Sequence, residues 1–336
     1  MCSRDVLGCD VMSNAAVLTV NDLRVYYDTE SGTVKAVDGV SFDLQPGERL
    51  GLVGESGSGK STLALALMRL HKPPARIAGG EVLLEGSGDA VTLEDAQLRA
   101  MRLERMALIP QGAMNSLNPV MRIRDQIADG IKAHQPGATR EDIKSRVLAQ
   151  LERVGLDSGE VAGKFPHELS GGMKQRVAIA IGTSLNPSVI IADEPTSALD
   201  VVVQRQVMET LRSVQEEIGA AVLIVGHDMG LMAQFVDRIG VMYAGRLAEL
   251  APVSALFDDP QHPYTKLLID SVPTIREKRA LVGIPGSPPT LINVPPGCPF
   301  NPRCPSVFEP CDKEVPPVLQ QDRRQVACHL HQQETA

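Results

Sequence analysis

The sequence predicts an α/β fold: a parallel sheet flanked by helices, with a β-rich leading segment, an inserted helical block and a small Cys- and Pro-rich extension at the end. Three observations predict it. An apolar run from Leu50 to Val53 enters a glycine-rich loop and leaves into a second apolar run, Thr62 to Leu70, which reads as strand, loop, helix. Short apolar runs at Val189 to Ala192 and Ala221 to Val225 are separated by a helical stripe of Val203, Val207, Leu211, Val214 and Ile218. Strands alternating with helices imply parallel pairing. After Ala251 the composition changes, with Pro285, Pro288, Pro289, Pro295, Pro296 and Pro299 in one stretch, so a boundary falls near 251.

The elements follow in order. From Val17 the pattern alternates as in strands (Leu18, Val20, Leu23, Val25), turns at Asp28 to Gly32 and resumes through Val40, Phe42 and Leu44. After the glycine-rich loop come a helix to about His71 and short strands around Glu81 to Glu85. A helix opened by Thr92 is next, with Asp95 three residues on in a capping-box pattern. Met106 to Ile109 returns as a strand. Between Gln111 and Ser184 the sequence turns helical, with Ile143, Val147, Leu151 and Val154 on one face of a helix capped by Thr139. A hairpin from Ile239 to Leu250 turns at Ala244-Gly245.

Composition bounds the function. The 336 residues are 43% hydrophobic, enough for a real core, and no apolar run approaches the roughly 18 to 20 residues that cross a bilayer. A net charge of −8, no Trp and 3% aromatics argue against a nucleic-acid surface. Met1 to Met12 lacks the basic-then-apolar pattern of an export signal, so a soluble, cytoplasmic chain is expected. Met12 opens a segment much like an ordinary start, and a misassigned initiation codon would account for the first eleven residues.

The chemistry begins at Gly54-Glu55-Ser56-Gly57-Ser58-Gly59-Lys60-Ser61, and Thr62, where the second apolar run opens, completes the set expected to bind the nucleotide. The glycines permit backbone conformations that aim successive N–H groups inward, and the helix adds the positive end of its dipole. Lys60 then reaches the β- and γ-phosphates and Ser61 offers a hydroxyl to Mg²⁺, which makes this a nucleoside triphosphate site. The buried run Val189 to Ala192 ends in Asp193-Glu194. Asp193 is placed to hold Mg²⁺, and Glu194 to orient or deprotonate a water beside the γ-phosphate. Upstream, Leu169-Ser170-Gly171-Gly172-Met173-Lys174-Gln175-Arg176 opens another helix, a second anion site with Ser170 capping and donating. Two phosphate-binding helix starts for one nucleotide tail are explained if each ATP lies between two chains.

With these motifs in this order, the sequence resembles the nucleotide-binding subunit of an ABC transporter, over roughly Val17 to Leu250. The resemblance implies an ABC-type P-loop ATPase: a RecA-like parallel core, a β-rich subdomain and a helical subdomain at about 112–184. Tyr27, ahead of Tyr26, sits where the family stacks an aromatic on adenine. Gln111 matches its Mg²⁺-sensing glutamine, and Ser197-Ala198-Leu199-Asp200 resembles the loop that crosses the dimer seam. His227 resembles the histidine that contacts the γ-phosphate and holds Glu194. Two departures stand out, Met173 where the family usually has Gln and Gly226 where Ser or Thr commonly precedes the histidine. Neither removes a phosphate ligand or the carboxylate, so hydrolysis is expected.

The expected organisation is then a structureless extension at 1–16, a nucleotide-binding domain at 17–250, and an extension at 251–336. The extension carries His262-Pro263-Tyr264 and Gly297-Cys298-Pro299-Phe300-Asn301-Pro302-Arg303-Cys304-Pro305, and resembles that of the oligopeptide/dipeptide importer branch. So does Gln111-Gly-Ala-Met-Asn-Ser-Leu-Asn-Pro119. That resemblance implies ATP-driven uptake of peptides at the cytoplasmic face of the membrane. Its partners are two membrane permeases, an extracytoplasmic substrate-binding protein and a second ATPase subunit, a paralogue or a copy of this chain. Branch relatives that carry nickel chelates, glutathione or oligosaccharides leave the cargo open. A soluble ABC ATPase of DNA repair or translation would usually show two cassettes, a coiled-coil insert or a basic surface, and none is visible.

Cys298, Cys304, Cys311 and Cys328 are separated by five, six and sixteen residues. Clustered Cys in a cytoplasmic chain suggests metal more than disulfides, and four thiolates suit tetrahedral zinc or an iron–sulfur cube. The family resemblance points to a 4Fe–4S cluster, with zinc or free thiols as alternatives. His329 reads as a bystander, and Cys2 and Cys9 as incidental.

Overall fold

The structure is a computed structural model that describes residues 15–112, 116–272 and 283–331. The leading extension, with Cys2, Cys9 and the start-site reading at Met12, lies almost wholly outside the described residues, as do Ala113, Met114 and Asn115.

Two long antiparallel strands open the described chain, β1 (Leu18–Thr29) and β2 (Gly32–Leu44). β3 (Arg49–Val53) runs through the glycine-rich loop into α1 (Lys60–Leu67). β4 (Ala75–Leu84) and the short β5 (Gly88–Asp89) pair back onto β1, followed by α2 (Asp95–Met101) and β6 (Met106–Ile109). The helical block holds α3 (Ile123–His134), α4 (Arg140–Arg153), α5 (Ser158–Val161) and α6 (Gly171–Gly182). Next come β7 (Val189–Asp193), α7 (Val201–Ile218), β8 (Ala221–Val225), α8 (Met229–Met232) and a hairpin of β9 (Arg238–Tyr243) and β10 (Arg246–Pro252). The end of the chain adds α9 (Val253–Asp258), α10 (Pro263–Asp270) and two short strands, β11 (Leu319–Gln321) and β12 (Arg324–Val326).

These make two sheets. One has the order β2-β1-β4-β5; the other runs β11-β12-β10-β9-β3-β8-β7-β6. Within the larger, β6, β7, β8, β3 and β9 pair in parallel. β7 and β8 are buried at every position, which is why they read as continuous apolar runs and not as alternations. Side chains of β8 divide by parity: Ala221, Leu223 and Val225 enter one core with α1 and the smaller sheet, while Val222 and Ile224 enter the other with the helical block and the extension. β3 is flanked on both sides, so its loop emerges in mid-sheet at the carboxyl ends of the strands, where open α/β sheets bind ligands.

Three sequence expectations are adjusted. α1 ends at Leu67, short of His71: Arg69 is left-handed, φ +50°, and the Arg102 guanidinium donates to the carbonyls of Met68 (2.8 Å) and Arg69 (2.9 Å), satisfying groups a longer helix would use. β4 starts at Ala75, well before Glu81, because it pairs with β1 from Leu18↔Leu84 to Tyr27↔Ala75. The capping residue of α2 is Glu94, not Thr92. Thr92 is held in the preceding turn, its N–H and hydroxyl both donating to Asp89 C=O, and the Gln97 carboxamide accepts from Glu94 N–H at 3.2 Å. Thr139 caps α4 as its sequence position predicts, its hydroxyl accepting from Asp142 N–H, and buries Ile143, Val147 and Leu151.

The extension is built onto the large sheet. β12 pairs with β10 through Glu249↔Val326 and Leu250↔Gln325, and Tyr264 and Phe300 are fully buried in the same core as Tyr243.

Candidate active site

A cleft of about 510 Å³ opens over the glycine-rich loop. Its polar lining is Thr29, Ser56, Gly57, Gly59, Lys60, Ser61, Thr62, Gln111 and Glu194, and its apolar lining Tyr27, Val34, Ala36 and Leu291. The loop tolerates only glycine where the backbone turns. Gly59 has φ +101° and an added Cβ would lie 1.9 Å from the Ala36 carbonyl oxygen; at Gly54, φ +150°, it would lie 2.2 Å from that of Met242.

Lys60 is held by the loop it serves, its Nζ donating to the carbonyls of Gly54 (2.8 Å) and Glu55 (2.9 Å) and to Ser58 Oγ (3.2 Å). Burial lowers its pKa, against the pull of Glu194, Asp193 and Glu55. Ser61 Oγ donates to Asp193 Oδ1 at 3.0 Å, so a hydroxyl and a carboxylate converge as hard oxygen donors of the kind Mg²⁺ takes. Burial raises the Asp193 pKa, and the bond from Ser61 opposes it.

Glu194 follows at the end of β7 with φ +45°, its N–H donating to Val225 C=O of β8 at 2.9 Å. Gln111 Nε2 donates to its Oε2 at 2.7 Å, and His227 Nδ1 stands 3.9 Å from its Oε1. The His227 side chain is otherwise 71% exposed, free to meet a ligand or a second chain. Before it, Gly226 leaves room that the Met232 methyl fills: an added Cβ would lie 2.2 Å from Met232 Cε. Tyr27 lines the cleft with its hydroxyl 3.1 Å from Thr62 Oγ1, while Tyr26 bonds Asp38 at 2.6 Å and does not line it.

Ser170, Gly171, Gly172, Met173 and Asp200 do not line the cleft of their own chain. Ser170 caps α6 by accepting from Met173 N–H, and Asp200 caps α7 by accepting from Val203 N–H. Gly172 lets the two helices touch, since a Cβ there would lie 2.6 Å from Val203 Cγ1.

The extension reaches the site through three residues whose contacts sequence reading misses. Leu291 lines the cleft. Arg303, its side chain 5% exposed, forks onto the Glu55 carboxylate at 2.7 and 3.0 Å, donates to Tyr243 Oη at 3.1 Å, and stacks over the Tyr243 and Phe300 rings. The Tyr264 hydroxyl accepts from Glu55 N–H at 3.0 Å. A carboxylate inside a phosphate-binding loop is itself a signal that a cation must stand beside it. Nothing local names Arg303, 248 positions away.

Cys298, Cys304, Cys311 and Cys328 are free thiols that line one cavity of about 10 Å³ together with His262 and His329. Burial pushes the Cys298 and Cys328 thiols up to about 11 and raises Cys304 as well. Among the described residues no group of three or more His, Cys, Asp or Glu is arranged to hold a metal ion. The cavity has room for about one water. The expected 4Fe–4S cluster or zinc ion therefore has its donor types in one place but not its geometry. Among the described residues, no helix is long and apolar enough to cross a membrane.

Comparison with known proteins fits this arrangement. Residues 37–197 match the ABC transporter family, and residues 248–311 match the C-terminal region of oligopeptide/dipeptide transporters. The dipeptide transport ATP-binding protein DppD of Bacillus subtilis is 41% identical over 321 residues, 94% of this chain and 95% of that protein. A peptide import ATP-binding protein of Brucella abortus is 43% identical over 307 residues, 91% and 92% of the two chains. The oligopeptide transport ATP-binding protein OppD of Mycobacterium tuberculosis is 42% identical over 90% of this chain and 50% of its own length. Among solved structures, the cassette MJ0796, described as dimeric and bound to ADP and Pi, superimposes with a TM-score of 0.62 at 28% identity, covering 70% of this chain and 98% of that one. With relatives this similar along nine-tenths of its length, the chain belongs to the ABC transporter family, as the ATP-hydrolysing subunit of an importer of the oligopeptide/dipeptide type.

Proposed function

We propose that the chain hydrolyses ATP in this cleft to drive uptake of di- and oligopeptides, working at the cytoplasmic face of the membrane. The carrying observation is Glu194, fixed by Gln111 and within reach of His227 beside the phosphate loop. Glu194 orients and deprotonates the attacking water, and Lys60 and His227 meet the charge that develops on the γ-phosphoryl group. Ser61 and Asp193, with Gln111 nearby, are the residues that would hold Mg²⁺, which neutralises phosphate charge when bound. Tyr27 packs on the base.

Ser170, Gly171, Gly172, Met173 and Asp200 act on the nucleotide of a second ATP-binding subunit, a paralogue or a copy. Their position outside their own chain's cleft supports this reading. Closure of two subunits on ATP completes both sites, and the helical block passes the motion to two permeases fed by an external binding protein. The peptide cargo rests on the relatives' names and on the matched extension. Nickel chelates, glutathione and oligosaccharides are the competing cargoes.

Glu194→Gln in the purified transporter should leave ATP binding intact and lower phosphate release by at least about 100-fold, the scale of a lost general base. Retained turnover would refute the role.

The four thiols are proposed to take a metal, with a 4Fe–4S cluster ahead of zinc, on the strength of their convergence. Binding would need the cavity to widen and the raised thiols to release protons. Iron with acid-labile sulfide in the native protein supports the cluster, zinc replaces it, and neither means free thiols.

A further inference from the structure

We propose that Leu291, carried by the C-terminal extension, is a nucleotide-binding residue that forms a wall of the base pocket. The inference rests on the reading that this cleft takes ATP. The lining residues are of two chemical kinds. Lys60, Ser61, Thr62, Gln111 and Glu194 supply every charge and most of the side-chain hydrogen-bonding groups, so the triphosphate belongs beside them. The purine is the flat, weakly polar part of the ligand, and the apolar surfaces left for it are Tyr27, Val34, Ala36 and Leu291, beside the single hydroxyl of Thr29. Three of these belong to β1 and β2. The fourth comes from 255 residues beyond Ala36.

Leu291 is not a stray side chain at the rim. Its carbonyl accepts from Lys35 N–H of β2 at 3.0 Å, so its segment is hydrogen-bonded to the strand that carries Val34 and Ala36. Ile292 packs over Gly32, where a Cβ would lie 3.2 Å from Ile292 Cγ2. Twelve residues after Leu291, Arg303 grips Glu55 of the phosphate loop. The extension thus spans the loop, held at the base end by a backbone hydrogen bond and at the phosphate end by an ion pair. A change that loosens the segment around Leu291 reaches the base through that side chain, as one at Arg303 reaches the phosphate loop through Glu55.

The test is equilibrium binding of Mg-ATP and of inorganic tripolyphosphate to the full chain and its variants, with melting curves run alongside. Leu291→Ala should weaken ATP by about tenfold, the loss expected when an apolar contact of a few methylenes is removed, and leave tripolyphosphate affinity unchanged. Leu291→Met, which keeps the volume, should restore ATP binding to within about twofold. Unchanged ATP affinity in Leu291→Ala overturns the proposal. Equal weakening of ATP and tripolyphosphate also overturns it, because that is what a general disturbance of the loop produces. Lys60→Ala separates the two readings, since it must abolish binding of both ligands in a chain whose Leu291 is intact. A wild-type chain that binds neither ligand removes the ATP reading and this one with it.

Discussion

Glu55 places a carboxylate in a loop built to receive a polyanion, and Arg303, itself buried, cancels it with a bidentate pair. Arg303→Met should therefore cost about 3 kcal/mol, the low end for breaking a buried pair, because Glu55 keeps a quarter of its surface in solvent. ATP affinity should fall as well. Adding Glu55→Gln should recover most of both losses, which melting curves and ATP titrations on the single and double variants would read as coupling. At this scale the phosphate loop, Asp193 and Glu194 were legible, because phosphate chemistry demands those residue types in a fixed order around strand ends, whereas Gln111 and His227 stood out only through the family resemblance. Gly226 was legible only as a departure, and its reason, the Met232 methyl, belongs to a neighbouring turn. Arg303 and Leu291 were illegible because a contact between residues so far apart leaves no period in the sequence.

Among the elements, the interior of each buried strand was readable and the ends were not. Run length and apolar pattern fix β7 and β8, whereas the start of β4 is set by how far β1 extends, and the cap of α2 by which residue the preceding turn consumes. Helix contacts make their own predictions. Gly172→Ala on α6 should cost about 1 to 3 kcal/mol through collision with Val203, and Val203→Ala should relieve it, as denaturant titrations would show.

His262 caps α10, its Nδ1 accepting from Tyr264 N–H at 3.0 Å, a bond only the neutral ring can make. Complete burial, helped by His331, lowers its pKa to about 4 from an ordinary 6.5. Between those values the unfolded chain holds a proton that the native chain lacks. The stabilisation is thus complete above about pH 6.5 and is lost as pH falls toward 4, by up to roughly 3 kcal/mol. His262→Asn, which still accepts the hydrogen bond, should flatten that part of a stability-against-pH curve.

For the molecule as a whole, the cleft of one chain lacks Ser170, and α6 presents that serine elsewhere. Glu194→Gln with Mg-ATP should double the mass seen by light scattering, with this chain alone or with its paralogue. Ser170→Arg should prevent the doubling while leaving ATP affinity of the separate subunit within about twofold. No change of mass with either partner would argue that the serine serves its own chain.

β12 lies along β10, and that pairing makes Arg324 to Val326 a covering for the cassette. A version shortened at Leu250 to isolate the ATPase would strip a row of backbone donors and acceptors and uncap Tyr243, leaving a naked sheet margin beside fresh apolar surface. Such a fragment should precipitate or form fibrils in place of behaving as a minimal engine.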